Sequence, residues 1–441
     1  MRVSSPKVLI TTPYRKGRND YFDPASANFV WAPHLAMPRT VSPGLRFLKQ
    51  NVPEVEILEF PRWETYKARL AEGWDAVGFS FFQQDIPKVL EMAQEARRQG
   101  VDEIWAGGYG ALWEGTRTFA DRVFRGYAEE EVGRVFGREV TELRHPPVIV
   151  PLQIHGPPRL PIKPLGWLFT QRGCANRCTF CQSPSFAPDP HRIPLQSVEE
   201  ILRYYRKVGV DEVWVFDETF YTFPEHSEAV IDLLQKYGFY WWVQSRADLS
   251  LVHLANWRKR GLAALAFGLE SPRDAVLDTI GKSTRAETWF ALKRRTRELD
   301  VTSLAYVMIG YADDTIRSVL EDYRALLRLS FDMVQLAVVT PFPATVFRQE
   351  VEQKYGLREG DWEHYGGRHL VWNHPHIAPA EMRALLLLGM ALLNVPYTNY
   401  GRGMVLQLLR RIRTLKHRYL AEVVAGLLHS LEHPGRDVRL P

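Results

Sequence analysis

The sequence predicts an α/β protein built from two successive parallel sheets and a helical tail. Three observations carry that expectation. Short β-branched or aromatic runs alternate with helical patterns from residue 7 to about 138. A proline-dense stretch, with Pro146, Pro147, Pro151, Pro157, Pro158, Pro161 and Pro164, then interrupts the alternation. It resumes from about 167 to 345 and gives way to helix.

In the first unit (1–138), strands are expected at 7–12, 54–60, 76–82, 103–107 and 122–126. Helices are expected near 42–52, 63–72, 85–99, 115–121 and 129–137. The 85–99 segment shows the pattern clearly, with Val89, Leu90, Met92 and Ala93 at helical spacing. Strand–helix repeats of this length imply a doubly wound parallel sheet. The proline-rich segment (139–166) reads as an extended linker, because proline removes a ladder donor and denies helix.

The second unit (167–345) has strands at 167–170, 212–216, 240–244, 263–269, 303–310 and 333–340. Its helices fall near 196–208, 225–237, 251–260, 273–279, 286–299 and 315–329. Six β/α units predict a partial (β/α)6 barrel of TIM type, whose chemistry belongs at the carboxyl ends of the strands. In the helical region (346–441), residues 404–428 place Val405, Leu408, Leu409, Ile412 and Leu415 on one face and Arg410, Arg411 and Arg413 elsewhere. Such a helix either packs on the barrel with a solvated basic face, the favoured reading, or makes peripheral contact with lipid.

Composition narrows the class. The chain has 441 residues, 46% of them hydrophobic and 24% charged, with a formal net charge of +5. No dense Lys/Arg block points to nucleic acid. The longest apolar run, 385–395, is too short to span a bilayer, and a cytoplasmic location is expected. Only three cysteines occur, all within eight residues, which excludes a disulfide framework and turns attention to metal.

Those cysteines lie just after the first barrel strand, in Gln171-Arg172-Gly173-Cys174-Ala175-Asn176-Arg177-Cys178-Thr179-Phe180-Cys181. Three thiolates on a tight loop can hold three irons of a cubane and leave the fourth iron open. Structural zinc is the competing reading; it wants four closed ligands, and thirteen histidines are available to supply one.

The C-x-x-x-C-x-Φ-C spacing, with Phe180 as Φ, resembles the hallmark of the radical S-adenosylmethionine (SAM) superfamily. Further segments resemble the family's strand-end motifs in order: Val215-Phe216-Asp217-Glu218-Thr219-Phe220, Gln244-Ser245-Arg246-Ala247-Asp248, and Phe267-Gly268-Leu269-Glu270-Ser271. Val307-Met308-Ile309-Gly310-Tyr311-Ala312-Asp313-Asp314-Thr315 and Thr340-Pro341-Phe342-Pro343-Ala344-Thr345 complete the set. The resemblance implies that Cys174, Cys178 and Cys181 ligate a [4Fe–4S] cluster that cleaves S-adenosyl-L-methionine to a 5′-deoxyadenosyl radical. For that cofactor it implies Glu218 or Asp217 at the ammonium and Arg246 at the carboxylate. Glu270 and Ser271 would serve the ribose, and Phe180, Ile309 and Gly310 the adenine. No further catalytic residue is singled out. Two departures stand out: the usual G-x-P-G-x-T is Gly310-Tyr311-Ala312-Asp313-Asp314-Thr315, and Ala344 replaces the usual glycine.

The first unit is Rossmann-like and resembles the cobalamin-binding domain of one branch of that superfamily. The matching pieces are Ser42-Pro43-Gly44-Leu45, Asp75-Ala76-Val77-Gly78-Phe79-Ser80, Ala106-Gly107-Gly108-Tyr109-Gly110-Ala111 and, less well, Arg125-Gly126-Tyr127-Ala128-Glu129-Glu130. Ser80, Gly107 and Gly108 are the residues implied at the cofactor's nucleotide tail. The D-x-H-x-x-G corrinoid signature is absent: after the first strand the chain reads Thr12-Pro13-Tyr14-Arg15-Lys16-Gly17. A scaffold or dimer face is the alternative role.

These resemblances imply a cobalamin-dependent methyltransferase acting on a small molecule or natural product and reduced by a donor such as flavodoxin or ferredoxin. A radical enzyme of cyclisation, oxidation or rearrangement is the alternative, and a non-catalytic metal-binding module the reading from another class. Tyr221, Phe223, Trp241 and Trp242 hint at an apolar or planar substrate, or else serve as core.

Overall fold

The computed structural model describes residues 5–15, 35–36, 41–154, 160–358, 360 and 362–394. Five parallel strands form the first sheet: Val8–Thr11, Glu56–Leu58, Ala76–Ser80, Glu103–Gly107 and Arg122–Val123. The Val8–Thr11 strand lies between Glu56–Leu58 and Ala76–Ser80, and the remaining two continue outward in chain order. Alternation along the strands splits its core in two. Leu9, Val77, Phe79 and Ile104 pack with Val89 and Met92 on one face. Val8, Ile10, Ala76 and Trp105 pack with Leu45, Leu48 and Val132 on the other. That is the doubly wound arrangement the sequence implies.

Six parallel strands make the second sheet, each succeeded by helix: Leu160–Leu168, Glu212–Val215, Tyr240–Gln244, Leu262–Glu270, Thr302–Ile309 and Met333–Val338. Their order is sequential, and the strip is open rather than closed. Its outer face buries Val213, Val215, Trp241, Val243, Leu265 and Val307 beneath helical Leu202, Leu234, Trp257 and Leu326.

Two expectations are corrected. The proline-rich 139–166 segment is not a free linker. Ile149–Ile154 and Leu160–Leu168 pair antiparallel, and Leu35–Ala36 adds to the outer edge. Proline is tolerated because Pro151 faces Pro164 directly. Two prolines can oppose each other where the ladder requires no N–H. A register shift between Leu152 and Gln153 absorbs the rest. The helix expected at 115–121 is instead a pair of 3-10 turns, Tyr109–Leu112 and Glu114–Thr118. Gly108, Gly110 and Gly115 weaken a regular helix there.

Beyond the barrel, Pro379–Leu393 packs against the last strand and the helix Ile316–Leu329. Tyr323 donates its hydroxyl to the Leu385 carbonyl at 2.8 Å, and Asn394 brackets Val334 with two hydrogen bonds. Trp362 reaches the first sheet, its ring 5.3 Å from that of Trp113. The 404–428 helix lies outside the described residues, and no helix within them is long and apolar enough to cross a membrane.

Gly389 lets this terminal helix approach, since a Cβ there would sit 2.4 Å from the Tyr323 ring and 2.6 Å from Leu336. Gly389→Ala is therefore expected to cost about 1–3 kcal/mol by overpacking, measured by denaturant unfolding. An unchanged midpoint would mean the helix is not pinned there.

Candidate functional site

The first barrel strand ends at Leu168, and the buried carboxyl of Asp217 holds the backbone that leaves it. Asp217 accepts from the Thr170 N–H at 2.7 Å, the Thr170 hydroxyl and the Gln171 N–H at 3.2 Å. Burial pushes its pKa up to about 7 against those hydrogen bonds, which favour the ionised form. Gln171–Arg172 then pairs with His191–Arg192 and closes the base of the cysteine loop. Gly173, at φ +82°, has room for no side chain: a Cβ would meet the Ala187 carbonyl at 2.9 Å.

Backbone contacts fix the loop itself. Cys181 N–H donates to the Cys178 carbonyl at 3.1 Å, and Cys174 N–H to that of Ala187 at 3.2 Å. Thr179 N–H donates to the Ile280 carbonyl at 3.1 Å, and its own carbonyl accepts from the Phe347 N–H at 2.9 Å, which ties the loop to two later helices. Gln182 and Ser185 donate to the carbonyls of Pro343 and Ala344 at 2.9 and 2.6 Å. The sixth-strand motif thus seats the loop. Ala344 holds φ +60°, which explains why glycine is the family's usual residue there.

Around the sulfurs the polar groups are mostly donors. Asn176 Nδ2 donates to Cys174 Sγ at 3.3 Å, and the Ser183 N–H to Cys181 Sγ at 3.4 Å. Thr219 Oγ1 lies 3.7 Å from Cys174 Sγ. Burial pushes the Cys178 thiol up to about 11 and raises Cys181 too, while Lys282 pulls Cys178 back. Buried thiols that resist ionisation alone, with N–H groups aimed at their sulfur, suit thiolates compensated by metal. Among the described residues no three His, Cys, Asp or Glu side chains gather closely enough for a single ion. Three thiols on one loop, with N–H groups aimed at two of the sulfurs, fit the thiolate set of an iron–sulfur cluster.

The expected cofactor residues ring this loop, with differences. Arg246 grips Asp248 through two bonds (3.0 and 2.8 Å), Asn176 at 3.0 Å and Ser283 at 2.7 Å. Glu270 sits at a bulge with φ +64° and pairs with buried Lys282 at 2.8 Å. Gly268 makes that pairing possible, for a Cβ there would lie 2.1 Å from Glu270 Oε1. Strain at such a residue is the mark of a built site. Ser271 is buried beside it and accepts from the Arg273 N–H at 3.1 Å. Phe180 packs at the edge of the barrel core.

Three assignments need correction. Asp217 is buried and consumed by the first strand's exit, whereas its neighbour Glu218 accepts from the Tyr127 hydroxyl. Ile309 points into the helix-covered core, so only its backbone reaches the strand end. Gly310, at φ +85°, gives its N–H to Asp314 at 2.8 Å, as Tyr311 does at 3.0 Å. Asp314 thereby closes the turn in which the family's usual proline is missing.

The carboxyl edge of the first sheet faces the same loop. Ser80 and Gly107 end neighbouring, paired strands, and Gly108 turns at φ +79° against the Phe81 backbone. Next to them, Tyr109 stacks on Phe186 at 4.3 Å and its hydroxyl meets Ser183 at 3.2 Å. Tyr127 donates its hydroxyl to Glu218. Arg172 forms a buried ion pair with Glu129 at 2.8 Å, its guanidinium over the rings of Phe47 and Tyr127 at 3.8 and 4.3 Å. His145, held neutral by burial at about 3, accepts from the Phe169 N–H at 2.9 Å.

Lys282, Asn176, Arg172, Tyr109 and Tyr127 were absent from the sequence-based site. Asn176 and Arg172 sit inside the cysteine segment and were open to suspicion. Tyr109 and Tyr127 likewise sit inside the segments quoted for the first unit, whereas Lys282 joins the site through tertiary packing alone.

Comparison with known proteins agrees with this geometry. Residues 168–323 match the Radical SAM superfamily. An uncharacterized methyltransferase of Pyrococcus horikoshii is 24% identical over 228 residues, covering 51% of this chain and 50% of its own. The anaerobic magnesium-protoporphyrin IX monomethyl ester cyclase of Cereibacter sphaeroides is 28% identical over 193 residues, 42% of this chain and 31% of the cyclase. The chain thus spans half or less of these curated relatives. Among solved structures, the radical SAM methyltransferase TsrM of Kitasatospora setae, with cobalamin and a [4Fe–4S] cluster bound, superposes with a TM-score of 0.61 at 16% identity. The match covers 79% of this chain and 78% of TsrM, and it establishes the shared fold.

Arg172→Met should cost about 3–5 kcal/mol in unfolding free energy, because Glu129 is left buried and unpaired. Adding Glu129→Gln should recover part of that loss. A single-variant cost below about 1 kcal/mol, the level of an exposed pair, would mean the two are not buried in solution. Ala344→Gly should raise stability by about 1 kcal/mol through relief of φ +60°; a lowered thermal midpoint would refute the strain.

Proposed function

We propose that the chain, whose residues 168–323 match the Radical SAM superfamily, is a cobalamin-dependent radical SAM methyltransferase of a small molecule. One observation carries the reading: the three-cysteine loop at the barrel mouth is covered by the carboxyl edge of a second, Rossmann-like sheet, with Tyr109 touching Ser183. Ligands of open α/β sheets bind at that edge, so a methyl carrier there would face the cluster.

Cys174, Cys178 and Cys181 would hold the cluster. Arg246 would take the cofactor's carboxylate, Glu218 its ammonium, and Glu270 with Ser271 the ribose. Ser80, Gly107 and Gly108 would line the cobalamin tail. When bound, the cluster supplies one electron to S-adenosyl-L-methionine and cobalamin supplies the methyl group. Asp217 sets the loop's position, and the Glu270–Lys282 pair keeps the rim charged without net charge. Tyr127 orients Glu218 through its hydroxyl. The Phe186, Tyr109 and Tyr127 rings exclude water at the junction of the two sheets. A small reductant protein such as flavodoxin or ferredoxin would deliver the electron.

The named cyclase relative favours a second reading, radical cyclisation without methyl transfer. Cobalamin retained in stoichiometric amount supports methylation, and failure to bind it supports cyclisation.

Anaerobic reconstitution should load about four irons per chain, and the loaded protein should release 5′-deoxyadenosine. Cys178→Ala should abolish that product. Its persistence in the variant, or one zinc and no iron in the parent, would overturn the proposal.

A further inference from the structure

The fourth and fifth barrel strands supply the two halves of the rim expected to hold a nucleoside. Their ladder runs out where the rim begins, at the pairing of Glu270 with Val307. Past that point a side chain joins the two exits. Arg273, which precedes the helix Asp274–Thr279, sends its guanidinium to two carboxylates of the following strand's segment. Its Nη2 donates to Asp314, and its Nε meets Asp322 at 2.9 Å. Both carboxylates are buried, and the half-buried Arg273 covers them.

Each end of this bridge is tied to a rim segment. On the fourth-strand side, the Arg273 N–H donates to Ser271 Oγ at 3.1 Å, directly after Glu270 at φ +64°. On the fifth-strand side, Asp314 accepts from four donors. One oxygen takes the Gly310 and Tyr311 N–H groups at 2.8 and 3.0 Å. The other takes Arg273 and the Ser318 hydroxyl, the latter at 3.2 Å. Asp322 belongs to the helix Ile316–Leu329. Burial, and to a smaller extent the charge of Asp314, push its carboxyl up to about 6 against the pull of Arg273. The guanidinium thus holds together two acids that would otherwise repel.

The fifth-strand turn depends on such a tie. In the pattern this segment resembles, proline and glycine stand where Ala312 and Asp313 stand here. A proline ring would restrict the turn by itself. Here the hydrogen bonds of Asp314 restrict it instead, and they last only while that carboxylate stays in place. On the far side His374 Nε2–H donates to the Tyr311 carbonyl at 2.8 Å, while its Nδ1 accepts from the N–H groups of His376 and Ile377. That contact ties the turn toward the terminal helix, not to the fourth strand.

We infer that Arg273 is a positioning residue whose guanidinium locks the Glu270–Ser271 exit to the Gly310–Asp314 turn, so that both halves of the rim keep one spacing. That the spacing serves a nucleoside rests on the proposed radical SAM reading; the lock itself does not. A planar fork holds two carboxylates in fixed directions, which an ammonium on a flexible stem does not. Removing it leaves two buried acids without the cation that joins them, and their repulsion opens the turn.

Amide hydrogen exchange of the full chain, read by mass spectrometry, tests the lock without any cofactor. Arg273→Met should speed exchange at least tenfold at 269–273 and 308–316, with the cysteine loop at 172–182 keeping the parent's rate. Parent rates at 308–316, or acceleration spread evenly over the chain, would overturn the inference. Should that variant fail to fold, Asp322→Asn frees one arm of the guanidinium while Asp314 keeps its partner, and the same two outcomes decide. In the reconstituted enzyme, Arg273→Met should weaken S-adenosyl-L-methionine and 5′-deoxyadenosine tenfold or more. Methionine, which carries no nucleoside, should bind as it does to the parent. Local loosening with no loss of nucleoside affinity would sink the nucleoside reading of this rim and leave the lock standing.

Discussion

A carboxyl group with no access to water governs where the chemistry of this chain can occur. Asp217 terminates the second barrel strand's segment and spends its oxygens on the backbone and side chain that leave the first. A charge or near-charge buried there is tolerated because both oxygens have donors, three in all. In return, the path of the chain from Thr170 into the cysteine loop is fixed before any cofactor arrives. The loop's other anchors, Gly173 against Ala187 and Gln182 against Pro343, then complete a cage whose shape depends on both ends of the barrel strip. Preorganisation of this kind is what a metal site needs, since ligands held in place lose little entropy on binding.

From the same ribbon, Arg172 carries the constraint to the first sheet. Its guanidinium is sealed between Phe47 and Tyr127 and paired with Glu129. A surface pair would contribute little. A buried one is costly to break, and so it fixes the relative placement of the two sheets more than it adds stability. The neutral His145 completes the dry seam without introducing a second charge. Tyr127 then spans from this seam to Glu218, so the posture of one rim carboxylate depends on how the first sheet is docked. Small shifts of that sheet would be felt at the cofactor rim.

Much of this was legible in the chain's own pattern. Short strand-like runs alternating with helical patterns gave both parallel sheets and overlapped all six barrel strands, the first only at its end, and the cysteine spacing located the centre. What pattern could not separate was a residue's local motif from its tertiary debt. Asp217 and Glu218 are adjacent and chemically alike, yet one is buried among backbone donors and the other reaches across to Tyr127. Ile309 and Gly310 lie in a recognisable segment, but strand parity turns one inward to the core and Asp314 takes the other's N–H. The prolines of 139–166 misled because proline was weighed as a breaker along one strand, whereas opposing prolines cancel each other's missing donors in a hairpin. Lys282 carried no signal, since only the fold brings it to Glu270.

Electron paramagnetic resonance of the reconstituted, reduced chain, recorded before and after S-adenosyl-L-methionine is added, tests most directly whether the three thiols and their rim form one cofactor centre. A [4Fe–4S] signal whose shape changes on addition is the predicted result, because the open iron would gain a ligand. A cluster signal indifferent to the added cofactor would contradict it, since the rim of Arg246, Glu218 and Glu270 would then serve something else.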